Sequence, residues 1–218
     1  MKFLKSSGLL VIISSPSGAG KSSLARELVD SDPNLSFSIS FTTREKRRGE
    51  LDGKDYFFVD ISTFKNLSEK GDMLEYAKVF GNYYGTPKAP IELGLMEGKD
   101  FVFDVDWQGG DQIRSSDFSE NVVSIFILPP SISELENRLL GRRQDSKKIV
   151  ANRMAEAKSE IEHWKEYDYV LVNNEFHKTL DAIRAIVKAS RLALCRNSSL
   201  ESFVSGLNYE FEERKNKA

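Results

Sequence analysis

The chain has 218 residues, a hydrophobic content of 40% and a formal net charge of −2. These values describe one sizeable globular domain, or a core with inserted lobes, and predict no general affinity for nucleic acid or an anionic membrane. The single cysteine, Cys195, excludes an internal disulfide and a cysteine-built zinc site and suits a reducing cytoplasm.

In chain order, the strand candidates are "LLVIIS" (9–14), "LSFSISF" (35–41), "DYFFV" (55–59), "FVFDV" (101–105), "VVSIFIL" (122–128) and "YVLVN" (169–173). The first and the last three are continuous apolar runs, as expected of parallel strands buried on both faces. Helical stretches are read at 21–31, 61–71, 87–97, 108–115, 132–141, 147–165 and 175–195. Ser131 followed by Glu134 has the spacing of a capping box. Strands alternating with helices predict a doubly wound α/β core, a parallel sheet flanked by helices. The stretch from about 35 to 92, rich in Gly, Tyr and Arg, reads as an inserted lobe. The tail "YEFEERKNKA" reads as a solvated helix end or as disordered, and Cys195 as a small buried residue on a late helix. The run "LLVII" is too short for the core of a signal peptide, and no run approaches the roughly 20 apolar residues of a membrane helix.

"SSPSGAGKSS" (14–23) follows the first strand and opens the first helix. Against the P-loop pattern G-x-x-x-x-G-K-[ST], Ser15 takes the first glycine position, while Gly20, Lys21 and Ser22 match. The departure is mechanically small, because backbone N–H groups and the helix N-terminus form the anion cradle, and Gly18 and Gly20 allow close backbone approach. Lys21 is expected on the β- and γ-phosphates of a nucleoside triphosphate and Ser22 on Mg²⁺.

A phosphate acceptor is sought in three further stretches. "SFTTREKRRGELDGKDYFF" (40–58) puts Arg44, Lys46, Arg47 and Arg48 on a loop with Tyr56 downstream, which suits a dianionic phosphate or, equally, a solvated basic loop. In "MLEYAKVFGNYYGTP" (73–87), Glu75 with the hydroxyls of Ser40 and Thr86 has the hydrogen-bonding pattern of a guanine reader; alone, it reads as a surface carboxylate. "FVFDVDWQG" (101–109) places Asp104 and Asp106 two apart, on one face of a strand by period 2. At the carboxyl end of a parallel strand they would serve a metal's water shell or orient basic residues. Arg138 and Arg142, four apart, make an ordinary solvated helix face, and His163 and His177 read as surface positions.

Through "SSPSGAGKSSL", "TTR…R.GE..G.DY.F", "EYAKVFGNYYGT", "DVDWQG", "IFILPPS", "RL.GR" and "YDYVLVN", the chain resembles bacterial guanylate kinases over roughly residues 8–195. The resemblance implies a P-loop core (8–34, 93–130 and 168–195), a GMP-binding lobe at about 35–92 and a helical lid at about 131–167. With a charged tail at about 197–218, these make one domain of 1–218. It implies transfer of the γ-phosphoryl group of ATP to GMP or dGMP with Mg²⁺, in purine metabolism. ATP would lie on Ser15, Pro16, Ser17, Gly18, Ala19, Gly20, Lys21, Ser22 and Ser23, with Asn173 near the adenine; Asp104 would reach Mg²⁺ through water. Ser40, Glu75 and Thr86 would read guanine beside Asp106, and Arg44, Arg47, Tyr56 and Tyr84 would hold the GMP phosphate. Arg138, Arg142 and Arg153 would join Lys21 at the transferring group. Two positions depart from the family pattern: Lys46 replaces a proline, and Gly141-Arg142-Arg143 replaces Gly-Arg-Gly. Neither nucleic acid nor membrane is expected as a partner, and oligomeric state is left open.

Overall fold

The computed structural model describes residues 7–47, 49–79, 81–141, 147–197 and 199–216. Its centre is a five-stranded parallel sheet in the order β2-β7-β1-β8-β9, formed by Leu35–Phe37, Asp100–Asp104, Leu10–Ser14, Val122–Leu128 and Tyr169–Val172. β1 is completely buried because alternate side chains serve two cores. Leu9, Val11 and Ile13 pack with Leu24 and Leu28 of α1 (Lys21–Ser31) and with Leu180, Ile183 and Val187 of α7 (Phe176–Arg191). Leu10 and Ile12 pack on the other face with Ile91 and Leu95 of α3 (Lys88–Met96), Ile113 of α4 (Trp107–Arg114) and Phe103. Each such side chain contributes about 1.5–3 kcal/mol by leaving water. This is the expected α/β class. β9, however, is an edge strand, with Tyr169 and Val172 exposed, rather than a strand buried on both faces.

A second, four-stranded sheet has the order β4-β3-β6-β5, formed by Phe57–Phe58, Phe41–Thr42, Asn82–Pro87 and Met73–Val79. The run 35–41 is therefore two strands in two sheets. It leaves the first sheet where Ser38 donates to Val102 O from its N–H (3.0 Å) and its hydroxyl (3.2 Å). The antiparallel β5–β6 pair, joined through Gly81 at φ +84°, sets Glu75 opposite Thr86. Asp60 caps α2 (Ile61–Glu69) by accepting the Thr63 N–H at 2.7 Å, and buried Phe64 of α2 stacks on Tyr83.

α5 (Ile132–Gly141) begins at the expected cap, with the Glu134 N–H donating to Ser131 Oγ at 3.1 Å. α6 (Lys147–Glu162) packs Val150, Met154 and Ala157 on Leu135 and Leu139 of α5 and continues into a 3-10 turn, His163–Glu166. α7 stops at Arg191, four residues short of the expected end, and Cys195 follows in a 3-10 turn, exposed rather than buried. The tail forms a helix, α8 (Leu200–Asn216), exposed along most of its length. No described helix is long and apolar enough to cross a membrane.

Candidate active site

The loop between β1 and α1 turns through Gly18 at φ +97° and Gly20 at φ +100°, left-handed conformations that cost glycine little and other residues much. Space reinforces the choice. A Cβ on Gly20 would fall 2.5 Å from Asn173 Nδ2, and one on Gly18 would fall 3.0 Å from Leu139. Asn173, buried, donates from Nδ2 to Ala19 O at 2.8 Å. Arg138 donates to Ala19 O at 3.4 Å, to Asn173 O at 3.3 Å and to Glu134 Oε1 at 2.8 Å. Asn173 and Arg138 thus brace the loop from behind. No side chain caps α1, so its first N–H groups and its dipole point into the cleft as an anion site. Lys21 extends along the same wall, donating from Nζ to Val105 O at 2.7 Å and pairing with Asp104 Oδ1 at 2.8 Å. Burial opposes the Asp104 charge, but Lys21, the Ser22 hydroxyl and Arg26 together outweigh it, and the carboxyl pKa lies below its ordinary value.

At the opposite end, Glu75 of β5 is only 3% exposed. Its Oε1 accepts from Thr86 Oγ1 at 2.7 Å, and Thr86 Oγ1 lies 3.0 Å from Ser40 Oγ, so three side chains form one relay. Burial pushes the Glu75 pKa up to about 7 despite the Thr86 hydroxyl, and the Asp106 charge adds to the rise. A Cβ on Gly109 would fall 2.8 Å from Glu75 Oε2, so the glycine makes room for the carboxylate. Asp106 does not share the strand with Asp104. β7 ends at Asp104, and Asp106 caps α4, with Oδ1 accepting the Gly109 N–H at 2.9 Å. The Asp-x-x-Gly spacing carries that cap, and the period-2 reading overran the strand end.

Between the two ends stands the basic loop. Arg44 is neither solvated nor free: Nη2 pairs with Glu50 Oε1 at 2.7 Å, and its guanidinium lies 5.5 Å from the Tyr56 ring centre. Glu50 also accepts the Arg47 N–H at 2.7 Å, and the Arg44 hydrogen bond is the main reason its carboxyl pKa is lowered. Tyr56 meets Tyr84 edge-on at 6.0 Å, and burial raises the Tyr56 pKa.

One cavity of about 750 Å³ joins these parts. Its wall brings together Ser15, Pro16, Ser17, Gly18, Gly20, Lys21 and Ser22 with Ser40, Arg47, Tyr56, Glu75, Tyr84, Asp104, Asp106 and Arg153. Ala19 lies within the loop, with its carbonyl turned back to Asn173 and Arg138 behind it; Thr86 and Arg44 support residues of the wall, and Ser23 is exposed on α1. Arg142, Arg143 and Arg48 lie outside the described residues. A wall residue that the sequence pattern did not single out is Glu160 of α6, whose Oε2 accepts the Ser17 N–H at 3.1 Å. On a charged helix it carries no local signal. Of the two histidines, His177 is exposed, whereas His163 stacks on Trp107 with ring centres 3.7 Å apart.

A parallel sheet with a glycine-turned anion cradle at the carboxyl end of its central strand, opening into a cleft with a second polar end, defines a P-loop nucleotide-binding protein. A family model described as guanylate kinase matches residues 7–190. The chain is 55% identical over 207 residues to the guanylate kinase of Cereibacter sphaeroides, covering 95% of this chain and 98% of that protein. It is 50% identical over 200 residues to that of Rhizobium meliloti, covering 92% and 91%. The crystal structure of guanylate kinase from Anaplasma phagocytophilum superposes with a TM-score of 0.77 at 38% identity, covering 93% of this chain and 96% of that one. The chain belongs to the guanylate kinase family.

Proposed function

We infer that the chain transfers the γ-phosphoryl group of ATP to GMP or dGMP, giving ADP and GDP. The observation that carries this reading is the single cavity with the phosphate cradle at one end and the buried Glu75–Thr86–Ser40 relay at the other. Guanine presents two donors along one edge, N1–H and the 2-amino group, which a carboxylate accepts together, while its O6 accepts from a hydroxyl. Adenine has no such donor pair, so a kinase for AMP would have no use for Glu75 at this point.

The P-loop amides and Lys21 hold the triphosphate. Arg44, Arg47, Tyr56 and Tyr84 hold the GMP phosphate, and Glu50 keeps the Arg44 fork oriented. A GMP phosphate oxygen attacks the γ-phosphorus in line; that O–P bond forms as the bond to the β-phosphate oxygen breaks, and ADP leaves with the electron pair. The acceptor phosphate is largely ionised near neutrality, so no general base is required. The protein contributes positioning and fixed positive charge in a space from which water is excluded. Residues 35–92 act as the monophosphate lobe, and α5 and α6 act as the lid that brings Arg138, Arg142 and Arg153 to the transferring group.

Mg²⁺ fits this donor set. Asp104 and Ser22 both line the cavity wall, and the Ser22 hydroxyl helps to hold the Asp104 carboxyl pKa down. Among the described residues no group of three or more His, Cys, Asp or Glu side chains forms a metal cage. That suits an ion that keeps most of its water and arrives with phosphates: Ser22 would ligate it and Asp104 would hold one of its waters. When bound, it neutralises phosphate charge during transfer. A cytoplasmic place in purine nucleotide metabolism goes with this reading. An assay coupled to ADP release, with Mg²⁺, ATP and GMP, tests it: turnover is expected, and none would overturn it.

A further inference from the structure

α6 meets the P-loop at two points of different character. Through Leu135 and Leu139 of α5, its apolar face rests against Gly18, a non-directional contact along which a helix slides at little cost. The second contact is directional: the Glu160 carboxylate accepts the Ser17 N–H at 3.1 Å. Burial raises the Glu160 pKa despite nearby Lys21, so the group is held where an isolated carboxylate is disfavoured. Arg153 lies seven residues, close to two full turns, before Glu160, so the two share one side of the helix about 10 Å apart along its axis. Both are on the wall of the same cavity.

We propose that Glu160 is a positioning residue: by accepting the Ser17 N–H it fixes the height and rotation of α6 against the P-loop and thereby sets Arg153 over the transferring phosphoryl group. The proposal rests on the role given to Arg153 above. A displacement of about 1 Å at such a group costs on the order of a hundredfold in rate. The apolar contact supplies attraction without register, and the carboxylate supplies the register. Glu160 touches neither substrate in this account and acts only through Arg153.

The test is a double-mutant cycle on the full chain, read as kcat and KM with Mg²⁺, ATP and GMP, with melting temperatures alongside. Glu160→Ala is expected to lower kcat at least about tenfold with KM for GMP within about threefold, since the bond matters after both nucleotides are seated. Glu160→Gln keeps an acceptor oxygen on the Ser17 N–H and should recover most of the loss. Arg153→Met should lower kcat by itself, and adding Glu160→Ala should then cost little more, because the residue being positioned is gone. Should Glu160→Ala not fold, Glu160→Asp takes its place, drawing the carboxylate back by one methylene. Multiplicative losses in the double variant, a Gln variant as slow as Ala, or unchanged turnover in Glu160→Ala would each overturn the proposal. Full activity in Arg153→Met would locate the failure in the role of Arg153, and the proposal would fall with it.

Discussion

Glu75→Gln separates recognition from stability, and the structure gives the sign of each. The carboxylate is 3% exposed and accepts from the Thr86 hydroxyl at 2.7 Å. Its pKa rises from an ordinary 4.5 to about 7, equivalent to about 3 kcal/mol of disfavoured ionisation. Because the folded-state pKa is the higher one, that stability is present in full below the unfolded value and is lost as pH rises through about 7. A neutral amide of the same size carries no such loss, so the variant should melt only a few degrees above the parent at pH 5.5, where about one pH unit of the loss has occurred, and about twice as far above it at pH 8. Activity should move the other way. The amide turns one acceptor into a donor facing the guanine N1–H and 2-amino group, at a cost of about 2–4 kcal/mol, on the order of 30- to 1,000-fold in kcat/KM for GMP. ATP affinity should change far less than the use of GMP, since the Glu75 carboxylate is bonded to Thr86 rather than to the P-loop and meets Lys21 only through its charge. Steady-state kinetics and thermal melting at both pH values decide it. A variant that folds normally and uses GMP within about threefold of the parent would refute Glu75 as the guanine reader.

The same carboxylate predicts a pH-dependent affinity for guanosine, which lacks the titrating phosphate. Guanine needs the ionised form, so binding should tighten about tenfold between pH 6 and pH 8 and release a proton, seen by calorimetry in buffers of different ionisation enthalpy; a flat profile would contradict it. Gly20→Ala combines a φ of +100° with a Cβ 2.5 Å from Asn173 Nδ2. It should cost about 1–3 kcal/mol of stability and lose most ATP binding, while guanosine binding persists. Asp104→Asn removes the charge paired with Lys21 at 2.8 Å. It should raise the Mg²⁺ concentration for half-maximal rate severalfold and lower kcat at least about tenfold, and an unchanged Mg²⁺ titration would take Asp104 out of the metal's surroundings.

The core of the fold was legible because its strands are continuous apolar runs and its P-loop turn needs glycine at positions 18 and 20. The hairpin of β5 and β6 was harder to read. "MLEYAKV" and "NYYGTP" mix charge, aromatic rings and glycine because part of the hairpin lines a cavity rather than a core, so hydrophobic period carries little there. The residues of the base end were nameable, but the relay among Ser40, Thr86 and Glu75 depends on cross-strand register, which no local pattern prints. Glu50 escaped notice for a related reason: its hold on Arg44 spans six residues of irregular loop. Glu160 meets Ser17 across 143 positions of the chain, a pairing that only the packing of α6 against the P-loop creates. Asp106 was misplaced because the strand ends two residues earlier than its alternation suggests.

The central claim is that a buried carboxylate at one end of the cavity selects guanine for phosphorylation from ATP at the other. It is tested most directly by kcat/KM for GMP, AMP, CMP and UMP, measured side by side with the purified chain, Mg²⁺ and ATP. The account predicts a value for GMP at least about tenfold above each of the others, because a wrong base leaves the buried Glu75–Thr86–Ser40 relay unpaired. Equal use of the four monophosphates, or preference for any base other than guanine, would contradict it.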